Sequence, residues 1–446
     1  MDLSGKRVLI LGLGISGTSA ANFCAAKGAR VLAADEAQAA SIKGLDTLAK
    51  DIEIMTGSQL PDPADFDLVV PSPGIPSARY AERARAVAGD IELAGQFLAV
   101  PIIAVTGTNG KSTTVLLIEA MLRSAGLRAK AAGNLGTPAL SLVGEPLDAA
   151  VLEVSSFQLE AVEHFHPKVA AILNISPDHL DRHGDFAGYR AAKLRLLEQQ
   201  ESGDAVVLNF DDPTTRELAA QSKARVWGFS RRQPVENGVC LDSGVALIRD
   251  GAQATRVSLD GLQLAGVHNL ENVLAALAAV TALGVDPARA AGALHDFTGL
   301  PHRSEFVAAV GGVRFINDSK ATNPAAAARA IEGFDASLVW IAGGRDKGLD
   351  FSELADVAAA RVKSAVFYGE AADLLAAAVA GRIDVRRAAD LGEAVSVAAA
   401  AAQTGDTVLL APACASFDQF KSFEERGEHF CRAVRALDRP TPETKN

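Results

Sequence analysis

The chain has 446 residues, 49% of them apolar, and a net charge of −11. That is enough for a sizeable core and, at about 150 residues each, some three domains. The acidic balance and the lack of a basic stripe speak against a nucleic-acid surface, and no apolar run reaches the roughly 18 residues of a membrane span. The four cysteines (Cys24, Cys240, Cys414, Cys431) form no C-x-x-C pair, which argues against a disulfide framework or a structural zinc site. Met1–Lys6 runs into a strand without a signal-peptide segment, so a cytoplasmic protein is expected.

The first unit, residues 1–100, opens with a strand at Arg7–Leu11, then Gly12-Leu13-Gly14-Ile15-Ser16-Gly17, a helix to Lys27, and a strand Arg30–Ala34 ending at Asp35. Strand, G-x-G-x-x-G turn, helix, strand and acid is the pattern that seats a pyrophosphate on a helix N-terminus. Taken alone it favours a dinucleotide such as NAD. Further strands are expected at Asp67–Val70 and near Ile91, with a proline loop, Pro71–Pro76, at a strand end suited to ligands.

The second unit, residues 101–299, starts with an apolar strand leading into Thr106-Gly107-Thr108-Asn109-Gly110-Lys111-Ser112-Thr113 and a helix. Its glycines let backbone N–H groups face a polyphosphate. Lys111 can reach the β- and γ-phosphates, and Ser112 can ligate Mg²⁺. Val105 stands where the standard pattern has a glycine, so the loop is shortened. Ala131–Pro138 reads as turn-rich. A buried-type strand delivers Glu153, placed for a Mg²⁺ ligand or for positioning water. A third strand, Val169–Ile175, leads to His179 and His183. Leu180 stands where a zinc protease would need glutamate, so His179 is a metal or substrate candidate outside that chemistry. Lys193 lies on a helix, and its surroundings in sequence give it no special role. Residues 203–264 read as a peripheral β-rich patch, and a helix is expected from Val273 to Leu283. Asn269 and Asn272 share a face at its start, suited to an adenine edge or to a cap. Arg303 is a plausible phosphate clamp.

The third unit, residues 300–446, shows strands at Val313–Asn317, Ser337–Ala342, Ala365–Tyr368 and Thr407–Pro412, each followed by a polar loop. Strands alternating with Ala-rich helices indicate another open parallel sheet. The tail from Arg439 is expected to fray. The fold class is therefore α/β: three open, mainly parallel sheets with flanking helices.

Three such units suit the ATP-driven joining of a nucleotide-tagged substrate to something small. In order, and over essentially the whole chain, the motifs resemble those of the Mur ligase family. Thr106–Thr113 is similar to its ATP loop. Glu153-Val154-Ser155-Ser156-Phe157-Gln158-Leu159-Glu160, Asn174 through Arg182, and Tyr189-Arg190-Ala191-Ala192-Lys193 are similar to its central motifs. Leu300-Pro301-His302-Arg303, Asn317-Asp318-Ser319-Lys320-Ala321-Thr322-Asn323 and Ser416-Phe417-Asp418-Gln419-Phe420-Lys421 are similar to those of its C-terminal part. The last of these, with no Asp-Asn-Pro-Arg motif present, points to the branch that adds D-glutamate. Arg345-Asp346-Lys347 departs from relatives that often have small or acidic residues before the lysine.

The resemblance implies a Rossmann-like N-terminal domain, a P-loop-type ATPase domain and a Rossmann-like C-terminal domain. It implies that Gly14, Ile15, Ser16, Gly17, Asp35 (near uracil), Gly74, Asn134, Ser155, Gln158 and His179 hold a UDP-substrate, in place of NAD. ATP is assigned to Gly107, Thr108, Asn109, Gly110, Lys111, Ser112, Thr113, Asn269, Asn272, Arg303, Asp318 and Lys320. D-Glutamate is assigned to Thr322, Lys347, Ser416 and Phe423. Lys111, Glu153, His179 and Lys193 are the implied catalytic set. Two Mg²⁺ ions are implied, one on Ser112 and Glu153, the other on His179 and a CO₂-derived carbamate of Lys193. The implied reaction joins D-glutamate to UDP-N-acetylmuramoyl-L-alanine through an acyl phosphate, in a cytoplasmic monomer without nucleic-acid or membrane partners. A sibling ligase, a folylpolyglutamate-type synthetase, and an NAD-binding oxidoreductase or nucleotide sensor are the alternatives.

Overall fold

A computed structural model describes residues 1–264, 266–334, 337–346 and 348–437. They form three sheets in two compact bodies. One body comprises Met1–Asp260 and Glu271–Leu294; the other comprises Gly261–Leu270 and the chain from His295 onward.

The first sheet contains β1 (Arg7–Leu11), β2 (Arg30–Asp35), β3 (Glu53–Thr56) and β4 (Leu68–Pro71) in the order β3-β2-β1-β4. All its pairs are parallel. β1 is buried on both faces after Arg7 and reads as a continuous apolar run, as parallel strands do. The expected strand near Ile91 is a helix, Asp90–Phe97. Asp-Ile-Glu-Leu alternates like a half-exposed strand, but both acids are buried, Asp90 at 4% and Glu92 at 1% exposure. Glu92 accepts from the backbone N–H groups of Glu163 (2.9 Å) and His164 (3.0 Å). The alternation therefore marks two apolar and two hydrogen-bonded buried positions on a short helix.

The second sheet adds β5 (Ile102–Thr106), β6 (Ala129–Gly133), β7 (Ala149–Glu153), β8 (Val169–Ile172), β9 (Ala205–Asn209), β10 (Arg225–Ser230), β11 (Gly238–Asp242), β12 (Val245–Asp250) and β13 (Gln253–Ser258). Its order is β13-β12-β11-β10-β9-β8-β5-β7-β6. Residues 203–264 are β-rich and peripheral, as expected: β9 pairs in parallel with β8 and the later strands continue the same sheet to its edge. One expectation is corrected here. Ala131–Gly133 is strand, the turn beginning only at Gly133 with its φ of 100°. β11–β12 and β12–β13 are antiparallel, closing that edge. The helix expected from Val273 spans Val267–Ala282.

The third sheet comprises β14 (Glu305–Val310), β15 (Val313–Asn317), β16 (Leu338–Gly343), β17 (Val362–Tyr368), β18 (Asp384–Arg387) and β19 (Thr407–Ala413), ordered β14-β15-β19-β16-β17-β18. It is parallel except for the β14–β15 pair at its edge. β14 and β18 were not foreseen. β14 is a half-buried edge strand, and β18 (DVRR) has a single apolar residue. The tail from Arg439 lies outside the described residues.

In the first two sheets the chain order reverses at the central strand: β1 lies between β2 and β4, and β5 between β7 and β8. Ligands of open α/β sheets bind beyond the strand ends at such points. Both glycine turns start there.

Candidate active site

The phosphate loop leaves β5 after Thr106. Val105 is fully buried inside the strand, so the turn is short. Gly110, with φ of 83°, starts the helix Lys111–Ser124. A Cβ there would lie 2.3 Å from Asn272 Oδ1, so only glycine fits beneath that amide. Lys111 folds back over the loop, its Nζ donating to the carbonyls of Gly107 (2.8 Å) and Thr108 (3.0 Å). Sequence reasoning assigned no role to Asn174, yet it brackets the loop. Its Oδ1 accepts from Asn109 N–H (2.9 Å), and its backbone carbonyl accepts from Thr108 N–H (3.0 Å). The Thr108 hydroxyl lies 3.1 Å from that of Tyr189.

Two groups give this loop its chemical character. Glu153 ends β7 opposite Val105 and is 2% exposed. Its Oε1 accepts from Asn134 Nδ2 at 2.7 Å, while its Oε2 is buried with no hydrogen-bond partner among the described residues. A buried carboxylate oxygen without a donor is costly unless a cation completes it. Lys193 is 1% exposed. Its Nζ donates to Gly107 O at 2.9 Å and stands 4.7 Å over the Tyr189 ring. Burial, and then the charge of Lys111, press its pKa down to about 7. An amine with its pKa near neutrality is unprotonated in part, and that form can react with CO₂, which an ammonium cannot.

His179 is left-handed, φ 51°, half-exposed and 4.9 Å from the Phe157 ring. The His183 side chain is covered instead, its Nε2 3.1 Å from the Ser156 hydroxyl, and desolvation lowers its pKa.

The residues assigned to a UDP-substrate fall into two groups in the same body. At the first sheet, Gly12 has φ of 84°, and a Cβ on Gly17 would meet Gly12 O at 1.8 Å. Gly14 caps the helix Ile15–Ala26 with open space around it. Asp35 braces this turn, accepting from the N–H groups of Leu13 (2.7 Å) and Ala37 (2.8 Å). At the central sheet, Ser155 and Gln158 form a reciprocal capping box, and Asn134 is held on Glu153. Two unforeseen residues contact these groups. Arg182 donates to the Ile75 and Gly74 carbonyls, at 3.0 and 3.4 Å, while paired with Glu160 at 2.6 Å. Asp90 accepts from Gln158 Nε2 at 3.1 Å, and burial raises its pKa against this bond.

In the other body, Asp318 follows β15, its carboxylate 3.5 Å from the Ser304 hydroxyl, and burial pushes its pKa up to about 7. Lys320 Nζ lies 4.0 Å over the Phe423 ring, so residues assigned separately to ATP and to D-glutamate touch each other. Ser416 is buried. Sequence reasoning missed Arg426, 0% exposed, which donates to Ser319 Oγ and Ser319 O (both 2.9 Å) and to Cys414 O (3.1 Å). It ties the loop carrying Lys320 to the loop carrying Ser416. Lys347 lies outside the described residues. Asn269, in this body, and Asn272, counted with the first, are both buried on the helix Val267–Ala282.

Three family models match the chain in order: "Mur ligase MurD-like, N-terminal domain" over residues 6–95, "Mur ligase middle domain" over 105–280, and "Mur ligase, glutamate ligase domain" over 302–414. The UDP-N-acetylmuramoylalanine--D-glutamate ligase of Geotalea daltonii is 40% identical, covering 98% of this chain and 99% of its own. That of Pelotomaculum thermopropionicum is 44% identical with the same coverage. Among solved structures, a pseudomurein peptide ligase type C from Methanothermus fervidus superposes with a TM-score of 0.59 at 18% identity, covering 97% of this chain and 100% of its own. The MurF ligase from Thermotoga maritima in complex with ADP gives 0.58 at 17%, covering 97% and 96%. These two likenesses are of fold.

Proposed function

This chain belongs to the Mur ligase family, and we infer from that premise that it joins D-glutamate to UDP-N-acetylmuramoyl-L-alanine at the expense of ATP, in peptidoglycan precursor synthesis. The observation that carries the reading is agreement along the whole chain with relatives of that one activity, at 40–44% identity in the two named above. The alanine carboxylate attacks the γ-phosphorus and ADP departs, leaving an acyl phosphate. The D-glutamate amine then attacks the acyl carbon, loses a proton and expels phosphate, so an amide forms.

The chain's own contribution is placement and charge neutralisation. The N–H groups at Gly107–Thr113 and the Lys111 ammonium hold the β- and γ-phosphates, with Asn269, Asn272, Arg303, Asp318 and Lys320 taking the rest of ATP. Gly14, Ile15, Ser16 and Gly17 hold the UDP diphosphate on a helix N-terminus. Asp35, Gly74, Asn134, Ser155, Gln158 and His179 complete that site. Thr322, Lys347, Ser416 and Phe423 receive D-glutamate.

Ser112 with Glu153, and His179 with a carbamate on Lys193, would hold two Mg²⁺ ions, which neutralise charge on the transferring phosphoryl group when bound. The orphaned Glu153 Oε2 and the depressed pKa of Lys193 support that assignment. The domains proposed are 1–100, 101–299 and 300–446, in a cytoplasmic monomer.

Mass spectrometry of product made from UDP-N-acetylmuramoyl-L-alanine and ATP with D-glutamate, L-glutamate, L-lysine or meso-diaminopimelate tests the reading. An amide with D-glutamate alone is expected. A product with another amino acid would keep the family and overturn the substrate.

A further inference from the structure

We propose that Arg426 is a positioning residue for amino-acid recognition, its guanidinium clasping the strand-end loops that carry the D-glutamate site. The proposal rests on the D-glutamate assignment above, in which Arg426 touches no reacting atom. Arg426 stands in the first turn of the helix Phe423–Leu437 and is 0% exposed. β15, β19 and β16 are parallel neighbours in the third sheet, so their C-terminal ends lie side by side. The guanidinium reaches all of them. Nε and Nη2 donate to Ser319 Oγ and Ser319 O, beyond β15, both at 2.9 Å. Nη1 donates to Cys414 O, beyond β19, at 3.1 Å, and to Gly343 O, at the end of β16, at a longer 3.4 Å.

A cation in the first turn opposes the helix dipole, and burial costs the charge. What Arg426 brings there is a planar fork of N–H groups with a fixed spread. Each loop it holds leads to a residue assigned to D-glutamate: Ser319 to Thr322, Cys414 to Ser416, and Gly343, in sequence, to Lys347. Phe423 is held from the same point, because Ser319 Oγ, while accepting from Arg426, donates to the Phe423 carbonyl at 2.8 Å. The loops beyond β16 and β19 also pair directly, Arg345 N–H donating to Ala415 O at 2.8 Å. Gly344, with φ of 126°, leaves room beneath that pair, for a Cβ there would lie 3.1 Å from Nη1. Glutamate presents an amine and two carboxylates at set separations, so groups on different loops must keep one spacing to receive it. A lysine would keep the charge and lose the fork. Its single nitrogen cannot span the acceptors that Nε, Nη1 and Nη2 meet separately.

The test is steady-state amide formation by Arg426→Lys and Ser319→Ala, with KM measured separately for the amino acid and for the UDP-substrate. The amino acid is whichever of those named above the parent chain joins. An error in the D-glutamate assignment then shows in the parent chain, and an error in the clasp shows in the variants. Arg426→Lys is expected to raise the amino-acid KM about tenfold, with kcat within about threefold. Ser319→Ala, which takes one acceptor from the fork and releases the Phe423 carbonyl, is expected to raise it about threefold. KM for the UDP-substrate, whose assigned residues lie in the other body, should stay within about twofold in both. A lower kcat with both KM values unchanged is what a merely structural residue gives, and would overturn the proposal. So would an unchanged amino-acid KM in Arg426→Lys, since charge alone would then suffice, or both KM values rising together. If Arg426→Lys fails to fold, an unchanged amino-acid KM in Ser319→Ala overturns it.

Discussion

The two glycine turns of the first body share a plan and differ in charge. Each follows a strand flanked on both sides by parallel partners, where the chain order reverses, and each ends in a helix. The turn at Gly12–Gly17 is built for close backbone packing, and the nearby acid, Asp35, is spent on bracing it. The turn at Gly107–Lys111 carries Lys111 and is met by the buried Lys193, with an orphaned carboxylate oxygen at the end of the adjacent strand. A helix N-terminus and glycines suffice to hold a diphosphate that does not react. Transferring a phosphoryl group needs fixed charge as well. In the proposed function, strand, turn and helix supply the holding, and residues brought in from β7 and the helix Phe186–Leu194 supply the reactivity.

That division can be broken first at Lys193. Lys193→Ala is expected to lower kcat by about a thousandfold and to recover part of it with added short carboxylates, as measured by phosphate release from ATP. Retained kcat would remove Lys193 from the reacting turn. Glu153→Gln should lower kcat about a hundredfold while Tm holds, because Oε2 has no donor to lose. A drop in Tm with intact kcat would make Glu153 a structural residue.

The holding turn answers to shape. Gly17→Ala drives a Cβ to 1.8 Å from Gly12 O and should cost about 2–4 kcal/mol in denaturant unfolding. Gly14→Ala, in open space, should cost no more than about 1 kcal/mol.

Burial of Lys193 also shows in the pH dependence of stability. The folded pKa of Lys193 is about 7 against an ordinary 10.5, so between these values the unfolded chain binds the extra proton. Its burden on stability is therefore full below pH 7 and eases as pH rises toward 10.5. Lys193→Met should flatten the rise of stability across that window, as measured by urea unfolding at pH 7 and pH 9. An unchanged slope would contradict the burial argument.

What the sequence made legible was local. Strand, turn and helix around Gly12–Gly17 and Gly107–Lys111 lie within one stretch of chain, and both formed as read. The acids and amides that act across the fold were not legible. Asp90 meets Gln158 68 positions away, Arg182 meets Ile75 107 positions away, and Arg426 meets Ser319 107 positions away. Nothing in their own neighbourhoods marks them. Arg426 sits among charged residues of a helix that looks solvated, and Asp90 sits in an alternation that mimics a strand. Lys193 was invisible for the same reason: its depressed pKa comes from burial against Gly107 and Tyr189, and only the resemblance to the family singled it out.

The most direct test of the two-turn account is steady-state phosphate release from ATP, at saturating D-glutamate, for Gly14→Ala and Lys193→Ala side by side. The account predicts that Gly14→Ala raises KM for the UDP-substrate with kcat within about threefold of the parent, and that Lys193→Ala lowers kcat with that KM little changed. Equal loss of kcat in both variants would contradict it.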